Sequence, residues 1–310
     1  MIDIVLATYN GEKYIGEQID SIINQTFKEW RLIIRDDGSK DKTAELIEEY
    51  SKKDSRITVI NDGKGNLGFN GNFTTLLEAS SADCVMICDQ DDSWVPEKIE
   101  IMYNEISKYK KDDKILVHSD VYLTNEKLEI TNSFFIGKRG SRCGINGIIM
   151  ANSVQGASCM MTKALKESYL KNRVNMPYDY NISLIAEMTG KRVYIEKPLM
   201  YYRQHQSNAI GAGGEKGDSK NRVMEFLVRK FSFKFIKMEI GKFEQVKQLS
   251  KNLINEIPNS VTKEIEDYLY IADRSKFSLF RMIKFYKKRY TMYRKIDNLT
   301  GGFYFLFNKN

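Results

Sequence analysis

The chain has 310 residues, 42% of them apolar and 29% charged, with four prolines and a formal net charge of +7. That length supports a substantial core, and the composition is that of an ordinary globular protein, which excludes a disordered chain and leaves little room for linkers. Four cysteines without a C-x-x-C pair, beside only two histidines, argue against a structural zinc site and fit a reducing compartment.

The opening "MIDIVLATYN" lacks a basic leader and reads as a strand from its second residue, and no apolar run approaches a membrane span. The expectation is a cytoplasmic protein, or one peripheral to the inner face of a membrane. "IDIVLA" (2–7) is a continuous apolar run suited to a strand covered on both faces. Ile15, Ile19, Ile22 and Ile23 then form one helical stripe. "RLIIR" (31–35) is a second strand, followed by a turn and a helix with Leu46, Ile47 and Tyr50 inward. "ITVI" (57–60) is a third strand, "NFTTLLEASS" a short helix and "CVMIC" (84–88) a fourth strand. Pro96 is expected to open the next helix, where a missing N–H costs nothing. This alternation predicts a mainly parallel, doubly wound α/β sheet.

Past residue 110 the rhythm changes. "KILVHSDVYL" reads as a strand continuing beyond Asp120, 131–157 as loop-dominated, and "DYNISLIAEMTG" as a helix stopped by Gly190. "KRVYIEKPLMYYRQH" reads as two short extended segments. The glycine-rich "GAGGEKGDSK" (211–220) marks a boundary. The division expected is 1–212, split into 1–110 and 111–212, followed by a basic helical region, 213–310. In its segment 276–295, Lys276, Arg281, Lys284, Lys287, Lys288, Arg289, Arg294 and Lys295 meet no acid and alternate with Phe, Tyr, Leu, Ile and Met.

Ligands of open α/β sheets bind beyond the carboxyl ends of the strands. Four polar clusters fall there: "TYNGE" (8–12), "RDDGS" (35–39), "NDGKGNLG" (61–68) and "DQDD" (89–92). The three acids of the last repel one another unless a cation sits among them, and oxygen ligands suit Mg²⁺ or Mn²⁺. The alternative is a solvated acidic turn in which Asp92 or Ser93 caps the following helix. Neither G-x-G-x-x-G nor a G-x-x-x-x-G-K-[ST] loop is present, so a nucleoside must be held by side chains. Tyr9 offers contact area, Asn10 an amide, and Asp37 an acceptor, with Asp36 assigned to turn geometry.

"VLATYNGEKYIGEQIDSIINQTF", "LIIRDDGSKDKT", "NLGFNGNF" and "CDQDDSWVPEKI" resemble the nucleotide-sugar-binding half of glycosyltransferase family 2, of GT-A fold. "HSDVYL", "NSVQGASCMMTK", "PYDYNISLIAEMTGKRV" and "YYRQHQSNAIG" resemble the acceptor half of members that build bacterial surface polysaccharides, particularly rhamnosyltransferases. The resemblance covers about residues 1–212. It implies a GT-A, mainly parallel mixed sheet, a metal held by Asp89, Asp91 and His205, and Asp179 as catalytic base. Tyr178 stands where the family has Glu. Donor contacts are implied at Thr8, Tyr9, Asn10, Glu12, Asp37, Asn72, Asp89, Gln90, Gly156 and Arg203. Asp120, beside His118, is the second candidate base, and an N-cap is the structural alternative for Asp179.

The activity expected is metal-dependent (Mn²⁺ or Mg²⁺), inverting transfer from dTDP-L-rhamnose or a UDP-hexose to a lipid-linked glycan. A catalytically silent nucleotide-sugar-binding module and a sugar nucleotidyltransferase are the competing readings. The basic tail is either a solvated helix face or an interfacial helix on anionic lipid; nothing accompanies it that would mark a nucleic-acid-binding module.

Overall fold

The computed structural model describes residues 1–133, 144–150, 152–205 and 233–272. In chain order the first half contains β1 (Ile2–Thr8), α1 (Ile15–Ile23), β2 (Trp30–Asp36), α2 (Thr43–Lys53), β3 (Ile57–Val59), α3 (Gly68–Ala79), β4 (Cys84–Cys88), β5 (Ser93–Trp94) and α4 (Lys98–Ile106). The second half adds β6 (Ile115–Thr124), β7 (Ile130–Asn132), α5 (Ile145–Met150), a 3-10 turn (Gly156–Ser158), β8 (Cys159–Thr162), α6 (Lys163–Asn172), α7 (Tyr178–Thr189) and β9 (Lys191–Arg203). Two further helices follow, α8 (Phe233–Asn252) and α9 (Asn259–Ala272).

The described strands join one sheet in the order β3-β2-β1-β4-β8-β6-β9-β5, with β7 on β6. β3, β2, β1 and β4 run parallel; β8 is antiparallel to both β4 and β6, and β9 runs parallel to β6. Alternation divides the core between two faces. Ile2, Ile4 and Leu6 of β1 pack with α1, α2 and α4, through Ile15, Ile19, Ile22, Ile47, Ile99 and Met102. Val5, Ile33, Val85 and Ile87 face the other way, onto α3, α5, α6 and α7. Coverage of both faces explains the unbroken apolar runs of β1 and β4.

Three expectations change. The helix after Pro96 starts at Lys98, because Ser93 and Trp94 first pair with Tyr201 and Met200 of β9 and Pro96-Glu97 form a turn. The segment after Gly190 is one strand rather than two, with register shifts near Asp120 that take up Pro198, a residue lacking a ladder donor. Residues 163–172 form a helix that was not anticipated; the Thr162 hydroxyl caps it by accepting from Leu165 N.

The boundary at 211–220 and the basic segment 276–295 lie outside the described residues. The part of the C-terminal region that is described is not an appendage. Phe243, Val246, Leu249, Ile265 and Tyr268 are buried in the same core as α5, α6 and α7. Among the described residues no helix is long and apolar enough to cross a membrane.

Candidate active site

The four polar clusters meet at the carboxyl ends of β1, β2, β3 and β4, tied by hydrogen bonds between segments remote in sequence. Thr8 Oγ1 donates to Asp36 Oδ1 at 2.9 Å, and the same carboxylate accepts from the backbone of Gly38 and Ser39. Asp36 is thus the turn residue, and Thr8, buried, is its brace rather than a donor contact. The Gln90 amide grips Tyr9 on both sides: Tyr9 N donates to Oε1 (2.8 Å) and Nε2 donates to Tyr9 O (3.0 Å). Gln90 therefore joins the ends of β1 and β4 instead of reaching for a ligand. Gly11 leaves room for it, since a Cβ there would lie 2.3 Å from Gln90 Oε1. Glu12 is similarly employed, accepting from Lys42 N before α2.

Arg35 organises the second and third clusters. All five of its N–H groups are used, on Asp37 Oδ1, both oxygens of Asp62, Asn72 Oδ1 and Gly65 O. Asp37 is 3% exposed, and its carboxylate also accepts from Leu67 N and Gly68 N at 2.8 Å. Asn72 is buried against Arg35. Expected as nucleotide contacts, Asp37 and Asn72 instead close the 61–68 loop onto β2 in this structure. A base could reach Asp37 only after Leu67 and Gly68 withdrew their N–H groups. Tyr9, by contrast, is 47% exposed. Beside it Asn10 sits at φ 49°, a left-handed conformation that Asn tolerates, with Oδ1 accepting from Lys40 N.

At the end of β4, Asp89 is half-buried and its carboxylate accepts no hydrogen bond from any described residue. Burial, together with the charges of Asp91 and Asp179, pushes it up to about 7. Asp91 Oδ2 lies 2.9 Å from His205 Nε2, and the His205 ring packs on Tyr14. The curl of the sheet makes this possible: β5 follows β4 directly and pairs with β9, whose end delivers His205. Asp92 is fully buried. Its Oδ1 accepts from Arg203 N, its Oδ2 has no partner among the described residues, and burial raises it well above the carboxylate range. It caps no helix, which corrects the alternative reading of this turn.

Arg203 is also corrected. It is 2% exposed, and in this structure its guanidinium is turned onto protein groups. Its guanidinium donates to Asp91 O (2.8 Å), Glu126 O and Glu17 and lies over the Tyr14 ring, bracing the backbone of the acidic turn.

Asp179 lies in the first turn of α7, one residue inside the start; Pro177 occupies the cap position. Its Oδ2 accepts from Asn152 Nδ2 (2.9 Å) and its Oδ1 from Tyr180 N (2.7 Å). Burial lifts it to about 6, against those two donors. Tyr178 packs into Phe73 and Phe69, and a Cβ at Gly156 would fall 2.2 Å from its hydroxyl oxygen, so only glycine fits there. Asp120 is not a base: it is fully buried in the middle of β6, holding Tyr194 Oη and Val121 N. His118, also buried, bonds Arg192 and is held neutral by burial and by that charge.

Sequence reasoning missed Asn152, which carries no signal, and Lys98, which does. Lys98 interrupts the buried stripe Lys98, Ile99, Met102, Ile106 of α4. It is fully buried, with Nζ donating to Ala157 O (2.7 Å), and burial draws it down to about 8.

Among the described residues no group of three or more His, Cys, Asp and Glu side chains is arranged to hold a metal by itself. The Asp89 carboxylate, lacking any donor and repelled by two acids, nevertheless fits a hard cation whose other positions are filled by phosphate oxygens and water.

A mainly parallel α/β sheet with carboxylates gathered in a crevice at its strand ends defines a GT-A type glycosyltransferase. Residues 3–154 match the model of glycosyl transferase family 2. The chain is 27% identical over 222 residues to the dTDP-rhamnosyl transferase RfbG of Shigella flexneri, covering 67% of this chain and 74% of that protein. It is 29% identical over 138 residues to the UDP-Glc:alpha-D-GlcNAc-diphosphoundecaprenol beta-1,3-glucosyltransferase WfgD of Escherichia coli, covering 44% and 50%. Three curated glycosyltransferases of higher identity, 33 to 38%, are spanned over only 32 to 46% of their own length. S. aureus TarS 1–349 in complex with UDP-GlcNAc has the same fold, with a TM-score of 0.56 at 16% identity over 94% of this chain and 92% of that one.

Proposed function

We propose that the protein is a metal-dependent, inverting glycosyltransferase that moves a sugar from a nucleotide sugar to a hydroxyl of a bacterial surface polysaccharide. The observation that carries this reading is the donor-less Asp89 carboxylate, set between Asp91 and Asp179 where four strand-end clusters meet. Asp89, Asp91 and His205 are the residues that would hold Mg²⁺ or Mn²⁺. Bound there, the ion supplies positive charge to a departing nucleoside diphosphate. Tyr9, exposed at the end of β1, offers its ring to a nucleoside, and Asn10 beside it offers its amide Nδ2, its Oδ1 being held by Lys40 N. Asp179 takes the proton of the acceptor hydroxyl. Asn152 and Tyr180 N hold its carboxylate in one orientation, while burial keeps it a better proton acceptor than a solvated acid. A single carboxylate acting on the acceptor would give inversion in one displacement, as the likeness to family 2 implies.

For the donor the reading favours dTDP-L-rhamnose, then a UDP-hexose, and for the acceptor a lipid-linked glycan. The names of RfbG and WfgD support these classes. The segment 276–295 would then serve as a contact with anionic lipid at the inner membrane face. The test is a panel of nucleotide sugars scored by nucleoside diphosphate release, with Mn²⁺, with Mg²⁺ and with chelator. Release from one donor that chelator abolishes is the expected result. Nucleotide binding with no turnover of any donor would favour a silent binding module, and pyrophosphate-dependent exchange a nucleotidyltransferase.

A further inference from the structure

Lys98 is a fully buried ammonium with no carboxylate in ion-pair contact among the described residues, an unfavourable arrangement unless other groups offset it. Three groups do so. Nζ donates to Ala157 O at 2.7 Å, meets Met200 Sδ at 3.5 Å, and stands 3.9 Å above the centre of the Trp94 ring. The three protons of the ammonium are thereby directed to a carbonyl, a thioether and a π face. Asp92 and Asp89 lie near enough for their charges to favour its protonated form.

These partners come from three separate elements, and each carries part of the site. Trp94 belongs to β5, two residues after Asp92. Ala157 belongs to the 3-10 turn whose Gly156 packs under Tyr178 Oη, beside Asp179. Met200 belongs to β9, three residues before Arg203, which braces Asp91, and five before His205. Through one atom Lys98 thus joins β5, which follows directly on the acidic turn, to the glycine turn and to β9. An apolar residue would complete the α4 stripe at lower cost, so packing does not account for a lysine here.

We infer that Lys98 is a positioning residue that fastens the Gly156–Ser158 turn against the acidic end of β4. In this role it sets the part of the crevice that receives the transferred sugar, rather than the nucleotide. The inference rests on the donor reading given above for what that turn receives, while the fastening itself does not depend on it.

The experiment compares Lys98→Met, Lys98→Gln and Lys98→Arg with the parent. The first readout needs no ligand: deuterium uptake by peptides covering 152–160, where Ser158 N donates to Gln155 O. Lys98→Met is expected to speed exchange there about tenfold or more, leaving β1 and β2 peptides unchanged; a lost hydrogen bond of about 1.4 kcal/mol corresponds to that factor. The second readout is binding of UDP and dTDP with Mg²⁺ against KM for the nucleotide sugar that the parent hydrolyses. KM is expected to rise about tenfold or more while diphosphate affinity moves less than about threefold. Lys98→Arg restores both readouts in part, since it keeps charge and donors. Lys98→Gln, which keeps a donor and is the milder change should Lys98→Met not fold, restores turn protection. Unchanged exchange at 152–160, equal losses of sugar-donor and diphosphate binding, or Lys98→Arg and Lys98→Gln behaving no better than Lys98→Met would each overturn the inference. A parent that turns over no donor refutes the functional reading instead, and the exchange measurement still decides the role of Lys98.

Discussion

At pH 8 the Asp89 carboxylate is ionised in a half-buried position with no hydrogen-bond donor and with Asp91 and Asp179 opposing it, and the metal-free fold bears that cost. Asp89→Asn removes the charge at nearly constant volume. The folded-state value of about 7 stands about 3 units above the ordinary 3.8, and each unit corresponds to about 1.4 kcal/mol, so full ionisation costs about 4 kcal/mol. Because the folded value is raised, the stability of the neutral acid is present below about pH 4 and is lost as pH rises through about 7. Asparagine mimics the neutral acid at every pH. The gain from Asp89→Asn is therefore small near pH 4, about 2 kcal/mol at pH 5 and about 4 kcal/mol at pH 8. Urea denaturation of both proteins in chelator, at pH 5 and pH 8, measures it. An advantage larger at pH 8 by about 2 kcal/mol is expected. Equal gains at the two pH values, or a loss at pH 8, would refute the account of Asp89 as an uncompensated charge. Repeating the pH 8 measurement with UDP and Mn²⁺ extends the test. The parent should gain stability by mass action and the variant should not; equal stabilisation of both would remove Asp89 from the metal site.

The other predictions concern neighbours of that carboxylate and the frame beneath it. Asp179→Asn should lower turnover by about 10² to 10⁴-fold with nucleotide affinity intact, and parent activity should fall as pH drops through about 6, since the carboxylate must be ionised to take a proton. Arg203→Met should cost about 1–3 kcal/mol in thermal or chemical denaturation by leaving the Asp91 and Glu126 carbonyls without their donor, while Glu17, half exposed, turns to water. Arg203→Lys should recover only part of that, because an ammonium cannot span three acceptors in one plane. Gly190→Ala should destabilise by about 2–4 kcal/mol without changing nucleotide affinity, because its Cβ would sit 2.0 Å from the Lys114 carbonyl, a backbone atom with nowhere to go.

The sheet was legible because its signals are local. Apolar runs at 2–7, 31–35 and 84–88 alternate with stripes such as Ile15, Ile19 and Ile22, and parallel order follows from that alternation. The convergence of the four clusters was legible for the same reason, since strand ends of a parallel sheet share one edge. What each polar side chain does there was not. Thr8, Asp37, Asn72, Gln90 and Arg203 are polar residues at a ligand-binding edge, which sequence reading assigns to the ligand. Each is instead satisfied by a partner 28 to 186 positions away, such as Asp36 for Thr8 or Glu17 for Arg203. Burial demands such partners, and periodicity carries no record of which residue supplies them.

The same demand separates the ligand-facing residues from their supports. In a crevice where nearly every buried donor and acceptor is matched, the groups left unmatched mark where something else must bind. Asp89 is one such case: its neighbours Gln90 and Asp91 have the Tyr9 backbone and His205, while its carboxylate has no donor among the described residues and is repelled by Asp91 and Asp179 more than the Lys98 charge offsets. Lys98 is the complementary case, a charge too well matched to be accidental in a stripe that otherwise asks for an apolar side chain. The two differ in burial, Asp89 half-buried and Lys98 fully so. On the proposed function an ion and a diphosphate would answer the first, while the Ala157 carbonyl answers the second. If that division is correct, neutralising Asp89 should raise stability and abolish the metal response, whereas replacing Lys98 should lower stability and leave the metal response in place. Opposite signs from two neighbouring charge deletions are hard to obtain from a generic loss of packing.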